Sequence, residues 1–238
     1  MTTAIDQALP RRSAGRPVAL RRLLSRSLST VLRRLFRSSR GSVSIEVVII
    51  VPLMALVMLG FSEIYMYMRT VSAIEHTAFT LADSIGQMPQ VINDNSTSDA
   101  DNLGSIWSAA TLLAAPNNLQ GAGGVIVTSV CDSTTTPCGK AAPTQQSMAA
   151  GTPEIYWQAK APWTASGMTS KVTSSSILPS TWPFRNGDSA IVVEIFLTFN
   201  PFTASKGLWP DAPGTQTIYE RVYVRPRFAQ ALALVAAQ

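Results

Sequence analysis

Residues 43–62 read VSIEVVIIVPLMALVMLGFS, and this stretch decides the fold. From Val47 to Ser62 it contains no charged side chain. A helix of 20 residues rises about 30 Å, which matches the hydrocarbon core of a bilayer. The alternative is a buried helix in the core of a soluble protein, which the length and apolarity of the stretch disfavour. The stretch therefore predicts a membrane-spanning helix.

The residues before this span are strongly basic. Residues 1–40 contain ten Arg and a single acid, Asp6, whereas the rest of the chain contains nine Lys and Arg against thirteen acids. By the positive-inside rule, this places the N-terminus in the cytoplasm and the chain after about residue 69 outside it. Residues 18–37 have the pattern of a basic amphipathic helix, which either lies on the anionic leaflet or is a solvated leader.

The helical pattern continues beyond the apolar run. Apolar residues recur at helical spacing up to Ile85, and Gly86 follows as a stop signal, so one helix is predicted from Val43 to Ile85. A polar loop (92–103), a short helix (104–114) and four strands are predicted next, the strands being Val125–Val130, Glu154–Ala159, Ala190–Phe199 and Thr217–Val224. The tail Phe228–Gln238 reads as a short helix or a frayed end.

These elements predict an α+β protein in three parts. Residues 1–41 form a basic cytoplasmic leader, residues 42–86 a transmembrane and extended stem helix, and residues 87–238 an extracytoplasmic domain with a small antiparallel sheet. The folded part shows no basic face with interleaved aromatic residues, so nucleic acid is not an expected partner.

The entry to the membrane contains a short motif, Arg40-Gly41-Ser42-Val43-Ser44-Ile45-Glu46. A basic leader ends in Gly, a small polar residue follows, and Glu is fifth after the Gly. This resembles the prepilin cleavage motif, in which a membrane aspartic peptidase cuts after the Gly. With Pro52 and Glu63, the segment is similar to the N-terminal signature of the TadE/TadG-like pilus-assembly proteins of the bacterial tight-adherence system.

This resemblance covers about residues 39–70. It implies a pilin-like fold and a minor pilin or pseudopilin that helps to assemble a Flp-type pilus at the bacterial inner membrane, with its C-terminal domain in the periplasm. Implied partners are other pilus subunits, the inner-membrane assembly platform, the prepilin peptidase and the lipid bilayer. Both a place in the pilus and a lasting role as a membrane scaffold are compatible with it.

The residues at the motif suggest a mechanism of assembly. Cleavage after Gly41 would free the amine of Ser42, four residues before Glu46. In a bundle of such helices, Glu46 of one subunit can pair with the new amino terminus of a neighbour and set the axial register. The alternative is that Glu46 sits at headgroup level near Arg40. For Glu63, the expected role is only to end the apolar run.

Cys131 and Cys138 bracket the segment Asp-Ser-Thr-Thr-Thr-Pro. If the domain is periplasmic, a disulfide is the expected state. Closing this short loop would stabilise the fold by about 2.5 kcal/mol on the chain-entropy estimate.

Nothing in the sequence indicates catalysis. His76 is the only histidine, so neither a Ser-His-Asp triad nor a zinc cluster can be assembled, and no phosphate-binding loop is present. The five Trp residues are scattered, and core packing is the default expectation for them. No enzymatic activity, cofactor or metal is therefore expected.

Two other functions remain open. One is a single-pass anchor that carries an extracytoplasmic binding or sensor domain. The other is an exported enzyme with a cleavable signal, since Val71-Ser72-Ala73 resembles a cleavage site, although the leader and the apolar run are too long for a secretory signal.

Overall fold

The structure is a computed structural model that describes residues 42–134, 138, 148–207, 209–228 and 231–237. The predicted leader, with its amphipathic helix and Gly41, lies outside the described residues. The chain divides into two units between Met58 and Leu59. Of the first unit, the structure describes residues 42–58, which are helical.

The elements follow one another in an α+β order. The helices are α1 (Ser42–Gly86), α2 (Leu103–Leu113) and α3 (Leu119–Ala122). The strands are β1 (Gln90–Asn93), β2 (Gly123–Asp132), β3 (Pro153–Lys160), β4 (Ser189–Phe199), β5 (Gln216–Val224) and β6 (Ala233–Ala236). The predicted long helix, short helix and four strands are confirmed to within two residues at each end.

Helix α1 is continuous over 45 residues and passes through Pro52. Within the described residues it is the one helix long and apolar enough to cross a membrane. From Ile74 onward it buries one face, which contains Ala78, Leu81 and Ile85. This face recurs every three or four residues, as expected for a helix that packs on a core along one side.

The main sheet has the strand order β3-β2-β4-β5, and all its neighbours are antiparallel, as predicted. Val127 of β2 pairs with Val193 of β4, and both belong to the core that packs against α1 and α2. The neighbouring positions Val130 and Val192 point to the opposite face and form a smaller cluster with Val172. The sheet is therefore covered on both faces, by helices on one and by the long β3–β4 connection on the other.

Within the C-terminal tail, residues Ala233–Ala236 form a strand, which corrects the expectation of a short helix or a frayed end. β6 pairs in parallel with β1, which the sequence reading had not identified as a strand. The carbonyl of Leu232, just before β6, accepts hydrogen bonds from Trp157 Nε1 at 2.6 Å and Ser129 Oγ at 2.9 Å. These bonds and the burial of Leu232 fix the tail against the main sheet.

Candidate functional site

The motif at the membrane entry lies on the first turns of α1. Ser42 is the first residue of the helix, and Glu46 lies one turn further along. Residues four apart on a helix lie on the same face, so a group at Ser42 and the Glu46 carboxylate share one side of α1. Glu46 is exposed, and no hydrogen bond or ion pair joins it to another residue in the described part of the chain. Among the described residues, the Glu46 carboxylate is thus exposed to solvent and unpaired.

The apolar side chains that follow Glu46 are exposed around the whole circumference of the helix. None of the most apolar window of α1 is buried within the protein. Its exposed large side chains are Val47, Val48, Ile49, Ile50, Val51, Leu53, Met54, Leu56, Val57 and Met58. In water this surface would be a strong aggregation hazard, so an apolar environment has to cover it.

Glu63, at the end of the apolar run, is buried and has a structural partner. Its Oε1 accepts hydrogen bonds from the backbone amides of Ala204 at 2.8 Å and Ser205 at 2.9 Å. Its Oε2 and Ser205 Oγ are both buried without a hydrogen-bond partner among the described residues. Glu63 therefore does more than end the apolar run, because it fixes the β4–β5 loop to α1. The sequence contained no signal for this contact, since the partners lie 141 and 142 residues further along the chain.

The two cysteines lie at the end of β2 and in the loop after it. Their Cα atoms are 5.7 Å apart, which is a typical separation for a disulfide, and the two residues are joined in the structure. Cys131 is buried at the end of the strand. The predicted pairing is thus compatible with the fold without any movement of the backbone.

Asp132 organises the backbone beside this cysteine pair. Its carboxylate accepts hydrogen bonds from the amides of Thr152 at 2.7 Å and Gly187 at 2.9 Å, and from the Thr134 hydroxyl at 2.7 Å. Burial opposes ionisation of Asp132, but the bonds from Gly187, Thr134 and Thr152 outweigh it and hold its pKa below the ordinary value. An ionised Asp132 therefore ties three separate segments together at this end of the sheet.

Glu194 is a third buried carboxylate, in the middle of β4, and the sequence reading did not single it out. It accepts hydrogen bonds from the Tyr219 hydroxyl at 2.7 Å, the Lys171 amide at 2.9 Å and the Ser170 hydroxyl. Burial and the bond to Glu194 raise the pKa of Tyr219. We call the unit that begins at Leu59 the head. Every one of these donors belongs to the head, so the network has a structural role: it attaches the β3–β4 connection to the sheet.

The other candidate positions fit structural roles as well. His76 is exposed on α1, as expected for an ordinary polar position. Among the described residues, no group of three His, Cys, Asp or Glu side chains could hold a metal ion. Trp107 is buried in the core, but Trp209 is 49% exposed on the β4–β5 loop, so the default expectation of core packing is wrong for Trp209.

The fold and these contacts define a class of protein: an α+β head that continues one long apolar helix. No protein-family model, curated protein or solved structure significantly matches this chain.

Proposed function

We propose that this chain is a minor pilin-like or pseudopilin-like structural subunit for assembly of a Flp-type, tight-adherence pilus at the bacterial inner membrane. The observation that carries the proposal is the exposed N-terminal part of α1. It combines an uncovered carboxylate, Glu46, with an apolar surface that no other part of the described chain covers.

Anchoring follows from the apolar surface. The run Val47–Ser62 has the length and composition to cross the hydrocarbon core, and the Arg-rich residues 1–40 favour a cytoplasmic N-terminus. The head would then lie in the periplasm, where the pair Cys131 and Cys138 is expected to be oxidised.

Assembly follows from the uncovered carboxylate. A charged group at the edge of the bilayer is costly unless it is solvated or paired. The amino terminus that cleavage after Gly41 would create at Ser42 is a suitable cation, because an adjacent, parallel helix would need to shift axially by only about 6 Å to bring it to the height of Glu46. The apolar faces of α1 supply attraction between helices, and the Glu46 contact sets their register. Support for this step comes from the resemblance of residues 39–70 to the TadE/TadG-like proteins.

A substitution at the cleavage site tests the proposal. Gly41→Val should block processing by a peptidase that accepts only a small residue, while Ser39→Val, two residues upstream, should leave processing intact. Intact-mass analysis of the membrane-extracted protein should find Ser42 as the first residue in wild type and Ser39→Val, and Met1 in Gly41→Val.

Cells that contain only Gly41→Val should also have fewer surface pili than wild type. Full piliation in the absence of the gene would contradict the proposed role in assembly. A membrane-bound protein that keeps Met1 in cells with an active prepilin peptidase would instead favour the alternative, an anchored binding or sensor domain.

A further inference from the structure

The β4–β5 loop, residues 200–214, is held at the level where the apolar run of α1 ends. Glu63 is the first charged residue after that run, and its carboxylate binds the amides of Ala204 and Ser205. Both contacts lie within the unit that begins at Leu59. The height of this loop along the helix is therefore fixed by hydrogen bonds, whatever surrounds the protein.

The side chains at this level are mostly aromatic, and all but that of Phe202 are exposed. Phe202 and Trp209 pack edge to face with ring centroids 5.8 Å apart, and Trp209 and Lys206 are exposed. On α1, Phe61 and Tyr65 are 69% and 65% exposed. Four aromatic residues and one Lys thus lie within four residues of Glu63 or of the two loop amides that it binds. Trp and Tyr concentrate where hydrocarbon meets headgroups, and Lys extends its ammonium group towards water there.

We infer that these five residues, Phe61, Tyr65, Phe202, Lys206 and Trp209, form a lipid-contact surface that seats the head on the outer leaflet of the membrane. The inference rests on the proposed anchoring of α1 and adds a second contact with the bilayer, made by the head. Its occupant is a lipid surface because Phe61 and Tyr65 continue the apolar run along α1, because Glu63 holds the loop at this level, and because Trp and Tyr suit the boundary between water and hydrocarbon.

The charge of the loop predicts which lipids it accepts. Lys206 and Asp211 are the two charged residues of 200–214, so the loop is neutral. Attraction then comes from partial burial of aromatic rings rather than from anionic headgroups. The contact should therefore form on zwitterionic phosphatidylcholine as well as on anionic lipid.

The opposite end of the sheet provides an internal reference. Trp182 packs against Tyr223 at 5.9 Å, and Tyr223 pairs with Val192 near the start of β4. The β4–β5 loop, which contains Trp209, instead follows Phe199 at the end of β4. The seven residue steps from Val192 to Phe199 span about 23 Å of strand. Trp182 should therefore remain outside the reach of lipid when Trp209 is in contact with it.

Quenching by brominated lipid tests the inference on the full-length chain. The protein is reconstituted in nanodiscs of phosphatidylcholine brominated near the headgroup end of the acyl chain, and the quenched fraction of tryptophan emission is measured. Trp209→Phe should lower this fraction at least twofold relative to wild type, and Trp182→Phe should not lower it. Equal quenched fractions in wild type and Trp209→Phe would overturn the inference while leaving the anchoring of α1 intact.

A second pair of variants tests whether Glu63 positions the surface. Glu63→Ala should reduce the quenching of Trp209 at least twofold, whereas Glu75→Ala, an exposed carboxylate on the same helix, should leave it unchanged. Both variants keep the apolar run and should remain in the nanodiscs. Unchanged quenching in Glu63→Ala would remove the positioning role.

Two further outcomes would overturn the lipid contact. Recovery of the wild-type chain without nanodiscs would contradict both the anchoring and the lipid-contact surface. A Trp209 that is shielded from bromine, together with a photo-cross-link from residue 209 to a second copy, would make this surface a contact between subunits.

Discussion

Two carboxylates flank the same apolar run of α1, and their surroundings are opposite. Glu63 is buried and binds two backbone amides of the head, whereas Glu46 is exposed and has no partner in the described part of the chain. The difference shows which carboxylate receives hydrogen bonds from other described residues and which does not. The head uses its own buried carboxylates to fix its long loops, whereas no described residue pairs with the carboxylate at the start of α1.

The same contrast holds for apolar residues along α1. Ile74 is fully buried in the core, while Ile50 is 53% exposed, although both lie on one continuous helix. The comparison therefore predicts that substitutions early in α1 spare the stability of the head, and that substitutions later in α1 reduce it.

The sharpest test of the two parts of α1 uses the same substitution in each. Ile74→Ala should lower the unfolding free energy of the head by about 4 kcal/mol, because it leaves a cavity between α1 and the sheet. Ile50→Ala should change it by less than about 0.5 kcal/mol. Denaturant unfolding in detergent, followed by tryptophan emission, reports on the head because all five Trp residues lie after α1. Similar losses in the two variants would break the comparison.

A buried carboxylate of the head should contribute almost as much to the unfolding free energy as an apolar side chain of the core. Glu194→Leu leaves the Tyr219 hydroxyl and the Lys171 amide without their acceptor and should cost about 3 kcal/mol. Glu154→Leu replaces an exposed carboxylate on β3 and is the matched control. The same unfolding measurement applies, and a stability of Glu194→Leu equal to that of the control would mean that the network contributes nothing.

The cysteine pair should contribute about 2.5 kcal/mol through loop closure. Peptide mapping under non-reducing conditions should recover Cys131 and Cys138 in one linked peptide. Reduction should then lower the unfolding free energy by that amount in wild type but not in a variant with Ala at both positions. Two freely alkylated thiols in the untreated native protein would contradict either the pairing or the periplasmic location.

Asp132 should give the head a dependence on acid. Its pKa is lowered in the folded state, so its stabilising effect is present above the ordinary Asp value of about 4 and is lost as the pH falls through the folded-state pKa. Asp132→Asn should therefore cost about 2 kcal/mol at pH 7, and its difference from wild type should shrink below about pH 4. Asp211→Asn, at an exposed site, is the control. A difference that stays constant down to pH 2 would contradict the assignment to an ionised carboxylate.

The sequence predicted those parts of the fold that depend on local patterns. The apolar run and its periodic continuation predicted α1, and alternating β-branched residues predicted β4. It did not predict β1 and β6, because each has only four residues and their pairing joins segments about 140 residues apart. Glu63 was noticed as an acidic residue, but its role depends on a distant loop. From the sequence alone, Trp209 is expected to be buried like most Trp residues. Its exposure becomes visible only in the fold.

The candidate site divides in the same way. The sequence placed Ser42 and Glu46 one helical turn apart, and the structure confirms that spacing. The pairing of Glu46 with a neighbouring subunit stays a prediction, because it concerns a contact between chains. The buried acceptors Asp132 and Glu194 were not predicted, since each accepts hydrogen bonds from two segments that are distant in the sequence: Thr152 and Gly187 for Asp132, and residues 170–171 and Tyr219 for Glu194.

The most direct test of the central claim is subunit association in Glu46→Ala cells. The unfolding free energy of the head should not change, and membrane insertion should be intact because the apolar segment becomes more hydrophobic. Co-purification with other pilus subunits and the number of surface pili should both fall, with Glu75→Ala as the matched control. Glu46→Gln should retain part of the co-purification and part of the piliation if hydrogen bonding by the side chain suffices. Normal co-purification and normal piliation in Glu46→Ala cells, with the protein in the membrane fraction, would contradict the claim that Glu46 is the contact through which subunits assemble.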